Sequence, residues 1–117
     1  MDPARSTLQP ASHGKEIVHV DASVAPLVPK FMTNRKNEVA TMQAALAAQD
    51  FDTVRRVAHG MKGAGGSYGF ARITEMAATV EHAAKTGAGE TIDTELTGLR
   101  SYLEHVEVVF DEEAAEG

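Results

Sequence analysis

The apolar residues Ile92, Leu96, Leu99, Leu103, Val106 and Phe110 follow one another at alternating steps of four and three. An α-helix turns about 100° per residue, so residues at such steps share one face. The spacing predicts a helix from about Glu90 to Glu112 with a narrow apolar seam, and such a seam needs other helices to pack against.

Three further segments supply them. Between Ala22 and Ala48 the helical period takes Val24, Leu27, Phe31, Val39, Met42 and Leu46. Pro29 cannot sit in a helix interior without losing a hydrogen bond, which predicts a short first helix, a break near Pro29, then a long helix. Phe51, Val54, Ala58, Met61 and Gly65 form the stripe of the next helix, with Asp50 as its N-cap. Ile73, Met76, Ala77, Val80 and Ala84 form that of a helix from about Ala71 to Lys85, stopped by the glycines of "TGAG". "IVHV", from Ile17 to Val20, has strand character but no strand-like partner in the rest of the sequence, and reads as extended chain leading to Asp21. The expected architecture is all-α: an antiparallel, up-down four-helix bundle with a short extra N-terminal helix. Residues 1–16 read as a flexible leader and residues 17–117 as the bundle domain. Met1 ahead of a polar leader points to a free-standing protein rather than a module cut from a hybrid kinase.

At 117 residues the chain supports one core. It has no cysteine, which excludes disulfides and thiolate chemistry. The leader has no apolar run of the secretory kind. The longest apolar run, Ala44 to Ala48, is far short of the roughly 20 residues that cross a bilayer. These features point to a soluble, cytoplasmic protein with no membrane partner. A net charge of −6 argues against nucleic acid. Acidic residues gather near the C-terminus (Glu107, Asp111, Glu112, Glu113, Glu116), whereas Arg55, Arg56, Lys62 and Arg72 make a basic region in the middle. A basic patch on an acidic protein favours an acidic or phosphorylated partner.

That basic region contains a stretch that breaks the helical rule. "AHGMKGAGGSYG", Ala58 to Gly69, holds five glycines around His59. Each glycine inside a helix costs about 1 kcal/mol relative to alanine. By helical geometry His59 lies well over 100° from the centre of the Phe51–Gly65 stripe, so it projects from the bundle surface. Lys62, Gly63 and Gly66 lie three, four and seven residues on and share its face. Gly63 and Gly66 leave bare backbone beside an exposed imidazole, which lets another molecule come close. Gly65 lies on the apolar stripe and reads as a packing glycine; Gly69 follows the helix and reads as its stop. Neutral imidazole is well populated near neutral pH and is a good nucleophile, and a lysine one turn away offsets the charge of a phosphoryl group. The residues point to a phosphoryl-accepting histidine.

The same stretch resembles the signature of histidine-containing phosphotransfer (HPt) domains: a histidine, a hydrophobic residue two on, Lys-Gly, then a glycine six beyond the first. His59, Met61, Lys62, Gly63 and Gly69 fill these places, with Met61 and Tyr68 where leucine is common. More loosely the likeness runs from Val20 to Phe110, taking in "APLVPKF" and "ALAAQD". The resemblance implies a phosphocarrier without ATP binding or autokinase activity, and without a cofactor of its own. His59 would take a phosphoryl group on Nε2 from a response-regulator receiver domain, fed by a hybrid sensor histidine kinase, and pass it to another receiver. Lys62 would stabilise the phosphoryl group, and Gly63, Gly66, Arg55 and Arg56 would serve receiver docking and access. The Mg²⁺ would be supplied by the receiver.

Other readings fit less well. A carboxylate-bridged metal bundle needs Glu-x-x-His, but Arg56, Thr79 and Tyr102 precede His59, His82 and His105 by three. G-x-G-x-x-G fails at Tyr68, with no strand before it. A sensor-kinase dimerisation domain needs an ATP-binding domain and usually an acidic residue after the histidine, where Gly60 stands. A purely structural or scaffolding bundle explains the seams but not the glycines beside His59.

Overall fold

The computed structural model describes residues 16–111. Apart from Glu16, the expected leader lies outside the described residues, as do Glu112, Glu113 and Glu116 of the acidic tail.

The described chain is mostly helical, with four α-helices: α1 (Val28–Ala47), α2 (Phe51–Tyr68), α3 (Ala71–Thr86) and α4 (Gly89–His105). Their ends have local causes. Pro29 falls in the first turn of α1, where its missing N–H has no helical acceptor to lose. The chain does not break near Pro29: Ala22–Leu27 is a 3-10 helix containing Pro26, and it runs directly into α1 at Val28. Asp50 caps α2, its carboxylate accepting from Thr53 N–H at 3.1 Å and from Thr53 Oγ1 at 2.7 Å. Gly69 (φ +84°) and Gly87 (φ +70°) end α2 and α3 in the left-handed conformation that a side chain would disfavour.

The amphipathic stripes close on one core. α1 packs against α2 and α4, and α3 packs against the same two helices. Met42, Val54, Met61, Ile73, Val80, Ile92, Leu96 and Leu99 are all fully enclosed. Where α2 turns into α3, the Phe31 ring of α1 lies 4.6 Å from the Tyr68 ring and 4.9 Å from that of Phe70. The Arg35 guanidinium lies over the Phe31 ring, 4.8 Å from its centroid. Arg35 is buried because Glu38 accepts two hydrogen bonds from it, at 2.8 and 2.9 Å. Gly65 lets α2 and α3 approach: a Cβ there would lie 2.8 Å from Thr74 Oγ1 and 3.1 Å from Ile73 Cβ.

Two short strands flank the helices, which the all-α expectation did not include. Ile17–Asp21 (β1) and Glu107–Asp111 (β2) form a parallel two-stranded sheet, in register from Ile17 beside Glu107 to Asp21 beside Asp111. The helix expected to reach Glu112 stops at His105. Val106 and Phe110 keep the helical spacing, but the run Val106–Val109 is rich in β-branched residues, which pack well on a pleated surface. "IVHV" therefore does have a partner, at the opposite end of the chain. Glu107 N–H donates to Glu16 O at 2.9 Å, and the His19 and Asp111 side chains meet at 3.1 Å across the two strands.

Candidate functional site

His59 projects from α2 as its angle to the stripe predicts, with 68% of its side chain exposed. It is not a free imidazole. Its Nδ1 lies 2.9 Å from Glu81 Oε2, and the other oxygen of that carboxylate, Oε1, lies 2.8 Å from Lys62 Nζ. Glu81 sits on α3 with only 10% of its side chain exposed. One carboxylate, anchored in the α2–α3 seam, therefore holds both the histidine and the lysine one turn beyond it.

This geometry decides the histidine's chemistry. Hydrogen bonds from Lys62 first, and then from His59, hold the Glu81 carboxyl down to about 2, against a smaller opposing effect of burial. Glu81 is thus ionised at neutral pH and has only acceptors to offer. The hydrogen of a neutral His59 must then lie on Nδ1, which leaves Nε2 with the free lone pair on an exposed side chain. Lys62 is drawn to the same carboxylate rather than standing bare beside the imidazole, as its spacing alone would have it.

The glycines divide by position. A Cβ on Gly63 would meet nothing within 4 Å, and the same is true of Gly60, directly after His59. The helix surface at these two positions, one and four residues after the histidine, faces open space. A Cβ on Gly66 would make an ordinary contact with Thr74 Oγ1 at 3.8 Å, so this exposed glycine lies where the open face of α2 borders α3. Thr74 Oγ1 donates to Lys62 O at 2.9 Å and ties the two helices beside the site.

The basic region is an array of ion pairs. Arg55 and Arg56 both bind Asp52, at 2.9 and 3.1 Å, and Arg72 binds Glu16 at 3.2 Å. Arg56 and Asp52 are well exposed, and exposed ion pairs hold only weakly, so a partner's acidic group can compete for these cations. His19 pairs with Asp111, and the His105 ring bonds Ser101 O at 2.8 Å, so both are engaged away from the site.

Glu81 is the residue that sequence reasoning missed. Periodicity puts it beside Val80 and Ala84, at the edge of the α3 stripe, but it does not tell which polar edge of α3 faces α2. A search for Glu-x-x-His within each helix could not find a glutamate and a histidine that meet across two helices. The usable signal is an acidic residue adjoining the apolar stripe of the helix that follows the histidine.

Searches of curated proteins and of solved structures return no significant match. A comparison with protein-family models matches residues 27–108 to the Hpt domain. The matched segment runs from the start of α1 to the first residues of β2 and contains His59, Lys62 and Glu81. It covers well over half of the chain, and the chain therefore belongs to the Hpt domain family, whose members carry phosphoryl groups on histidine in phosphorelays.

Proposed function

We propose that His59 accepts a phosphoryl group on Nε2 from the aspartyl phosphate of one receiver domain and hands it to the aspartate of another. The observation that carries this reading is the Glu81 carboxylate bonded to His59 Nδ1, which leaves Nε2 unprotonated on an exposed side chain. The Nε2 lone pair attacks phosphorus, the P–O bond to the donor aspartate breaks, and the aspartate leaves as carboxylate. No proton has to leave Nε2, because it carries none. The ring gains positive charge as the N–P bond forms, and the carboxylate against Nδ1–H stabilises it. Lys62, one turn from His59, exchanges its bond to Glu81 for the phosphoryl oxygens. The rest is positioning and charge stabilisation, which phosphoryl transfer chiefly requires. The Mg²⁺ and the aspartates belong to the receivers. Gly63 and Gly66 leave room for the receiver, and Arg55 and Arg56 meet its acidic surface. A hybrid sensor kinase upstream supplies the phosphoryl group, and these partners place the reaction in the cytoplasm.

The test is incubation of the chain with a panel of phosphorylated receivers. The label should move to this chain, as an acid-labile, base-stable adduct, and onward to a second receiver. His59→Gln should abolish labelling with helical content unchanged. Labelling that persists at another histidine, or none from any receiver, refutes the assignment.

A further inference from the structure

The sheet at the chain ends lies almost wholly outside the segment that matches the Hpt family: all of β1 precedes residue 27, and only Glu107 and Val108 of β2 fall within the match. It has two strands, so each has an open edge among the described residues. The large apolar side chains left exposed among the described residues are Ile17, Leu27 and Phe110. Two of them lie in this sheet, and Leu27 ends the 3-10 helix that follows β1. Open strand edges with exposed apolar groups are sites where another strand adds.

We propose that the open edge of β1 pairs antiparallel with β1 of a second copy of this chain, about a twofold axis at His19, making one continuous four-stranded sheet. The argument begins with the direction of the backbone groups. Glu16 O faces β2, since it accepts from Glu107 N–H. Successive residues of a strand turn their N–H and C=O to opposite sides, so those of Val18 and Val20 also face β2. The free groups at the edge are therefore those of Ile17 and His19 and the N–H of Asp21, whose C=O accepts the first bond of the 3-10 helix it caps. Under a twofold axis at His19, His19 exchanges both its bonds with the partner's His19, and Asp21 N–H donates to the C=O of the partner's Ile17. Four backbone bonds then cross the interface, related in pairs by the axis, as in an isologous contact.

Charge selects β1 over β2. Self-pairing of β2 about Val109 would set Glu107 against Asp111 twice, and like charges directly opposite are destabilising. β1 has one acidic residue, Asp21, and the proposed register sets it against Ile17. Glu16, the residue before β1, binds Arg72 at the α3 N-terminus, so the sheet lies at the end of α2 where the chain turns into α3. His59 lies nine residues before the last residue of α2, roughly 14 Å along the helix at about 1.5 Å per residue, so the phosphotransfer face stays clear in the dimer.

The test uses the full chain and needs no phosphorylation. Light scattering or sedimentation should show the mass rising from one chain to two with concentration, and stopping there. Ile17→Asp sets a second acid against Asp21 at both ends of the interface and should weaken the dimer about tenfold. Ile17→Lys sets an opposite charge there and should preserve or tighten it. The chain has no cysteine, so introduced ones report proximity. In the proposed register His19→Cys places two Cα atoms about 5.5 Å apart, within disulfide reach, whereas two Ile17→Cys positions lie about 13 Å apart. His19→Cys should oxidise to a covalent dimer readily and Ile17→Cys slowly. A chain that stays monomeric at millimolar concentration overturns the proposal. So does a mass that grows past two, which would mean head-to-tail pairing of β1 with β2, or a dimer indifferent to both Ile17 changes.

Discussion

Two glycines of α2 only two residues apart should respond to substitution in opposite ways. At Gly63 a Cβ meets nothing within 4 Å. Gly63→Ala therefore gains the helix propensity of alanine with no packing cost, up to about 1 kcal/mol. For a domain of this size that raises Tm by about 4 °C. At Gly65 the new Cβ would lie 2.8 Å from Thr74 Oγ1 and 3.1 Å from Ile73 Cβ, an atom fixed to its backbone. α3 would have to move, and Thr74 would lose its 2.9 Å bond to Lys62 O. Overpacking of this kind costs about 1–3 kcal/mol, so Gly65→Ala should lower stability despite the same gain in propensity. Gly63→Arg is the informative variant. It should fold at least as well as the original, because the side chain enters solvent, yet it puts bulk one turn from His59 where a receiver must bring its aspartate to the phosphoryl group. A misplacement of about 1 Å can cost on the order of a hundredfold in rate. Thermal melts with transfer rates from a phosphorylated receiver, set beside labelling by a small phosphodonor, separate the two effects. The expected pattern is a stable protein, labelled normally by the small donor and poorly by the receiver. If Gly63→Arg unfolds the bundle, or transfers at the original rate, the open backbone beside His59 is not there for access.

Glu81→Gln removes the charge but keeps the shape, and its amide can donate to Nδ1, which would put the His59 proton on Nε2. Transfer should slow on the order of ten- to a hundredfold, as for other groups that orient an imidazole, and nitrogen NMR of His59 should show the tautomer change. An unchanged rate would remove Glu81 from the mechanism. The Glu81 carboxyl is held near 2 against an ordinary 4.5, so its stabilising effect is complete above about pH 4.5 and is lost as pH falls towards 2. Melts of the native chain over that range should show this loss, and Glu81→Gln should flatten it. Lys62→Ala removes the bond that most lowers the Glu81 carboxyl, which should then titrate upwards in an NMR titration. It should also slow phosphotransfer and cost about 0.5–1 kcal/mol, the range of partly exposed ion pairs. Normal transfer with a large loss of stability would make the lysine structural. Tyr102 has a buried hydroxyl with no hydrogen-bond partner among the described residues, and burial pushes it up to about 12. Tyr102→Phe should be neutral or stabilising by about 1 kcal/mol in thermal unfolding, since an unsatisfied buried group is removed. A marked destabilisation would show that the hydroxyl has a partner.

Much of this protein follows from local and periodic features of its sequence. The stripes of α2, α3 and α4 report which face of each helix leaves water, and that burial supplies most of the stability of a short helix. The same angular argument turns His59 outward and puts Gly63 on its face, because both are properties of a single helix. Asp50, Gly69 and Gly87 mark helix ends, since capping and left-handed backbone depend on the residue in place. What periodicity does not carry is how one helix is rotated and slid against the next. The tertiary structure decided that Glu81 lies opposite His59 and Lys62, and so which imidazole nitrogen is free to react. It also decided that a Cβ at Gly66 would meet Thr74 whereas one at Gly63 would meet nothing, though both lie on the same side of α2. It paired Ile17–Asp21 with Glu107–Asp111, where the helical spacing of apolar residues runs on through Val106 and Phe110. Strand pairing is a contact between distant segments, and a lone run of β-branched residues acquires its meaning only when the fold brings the two chain ends together.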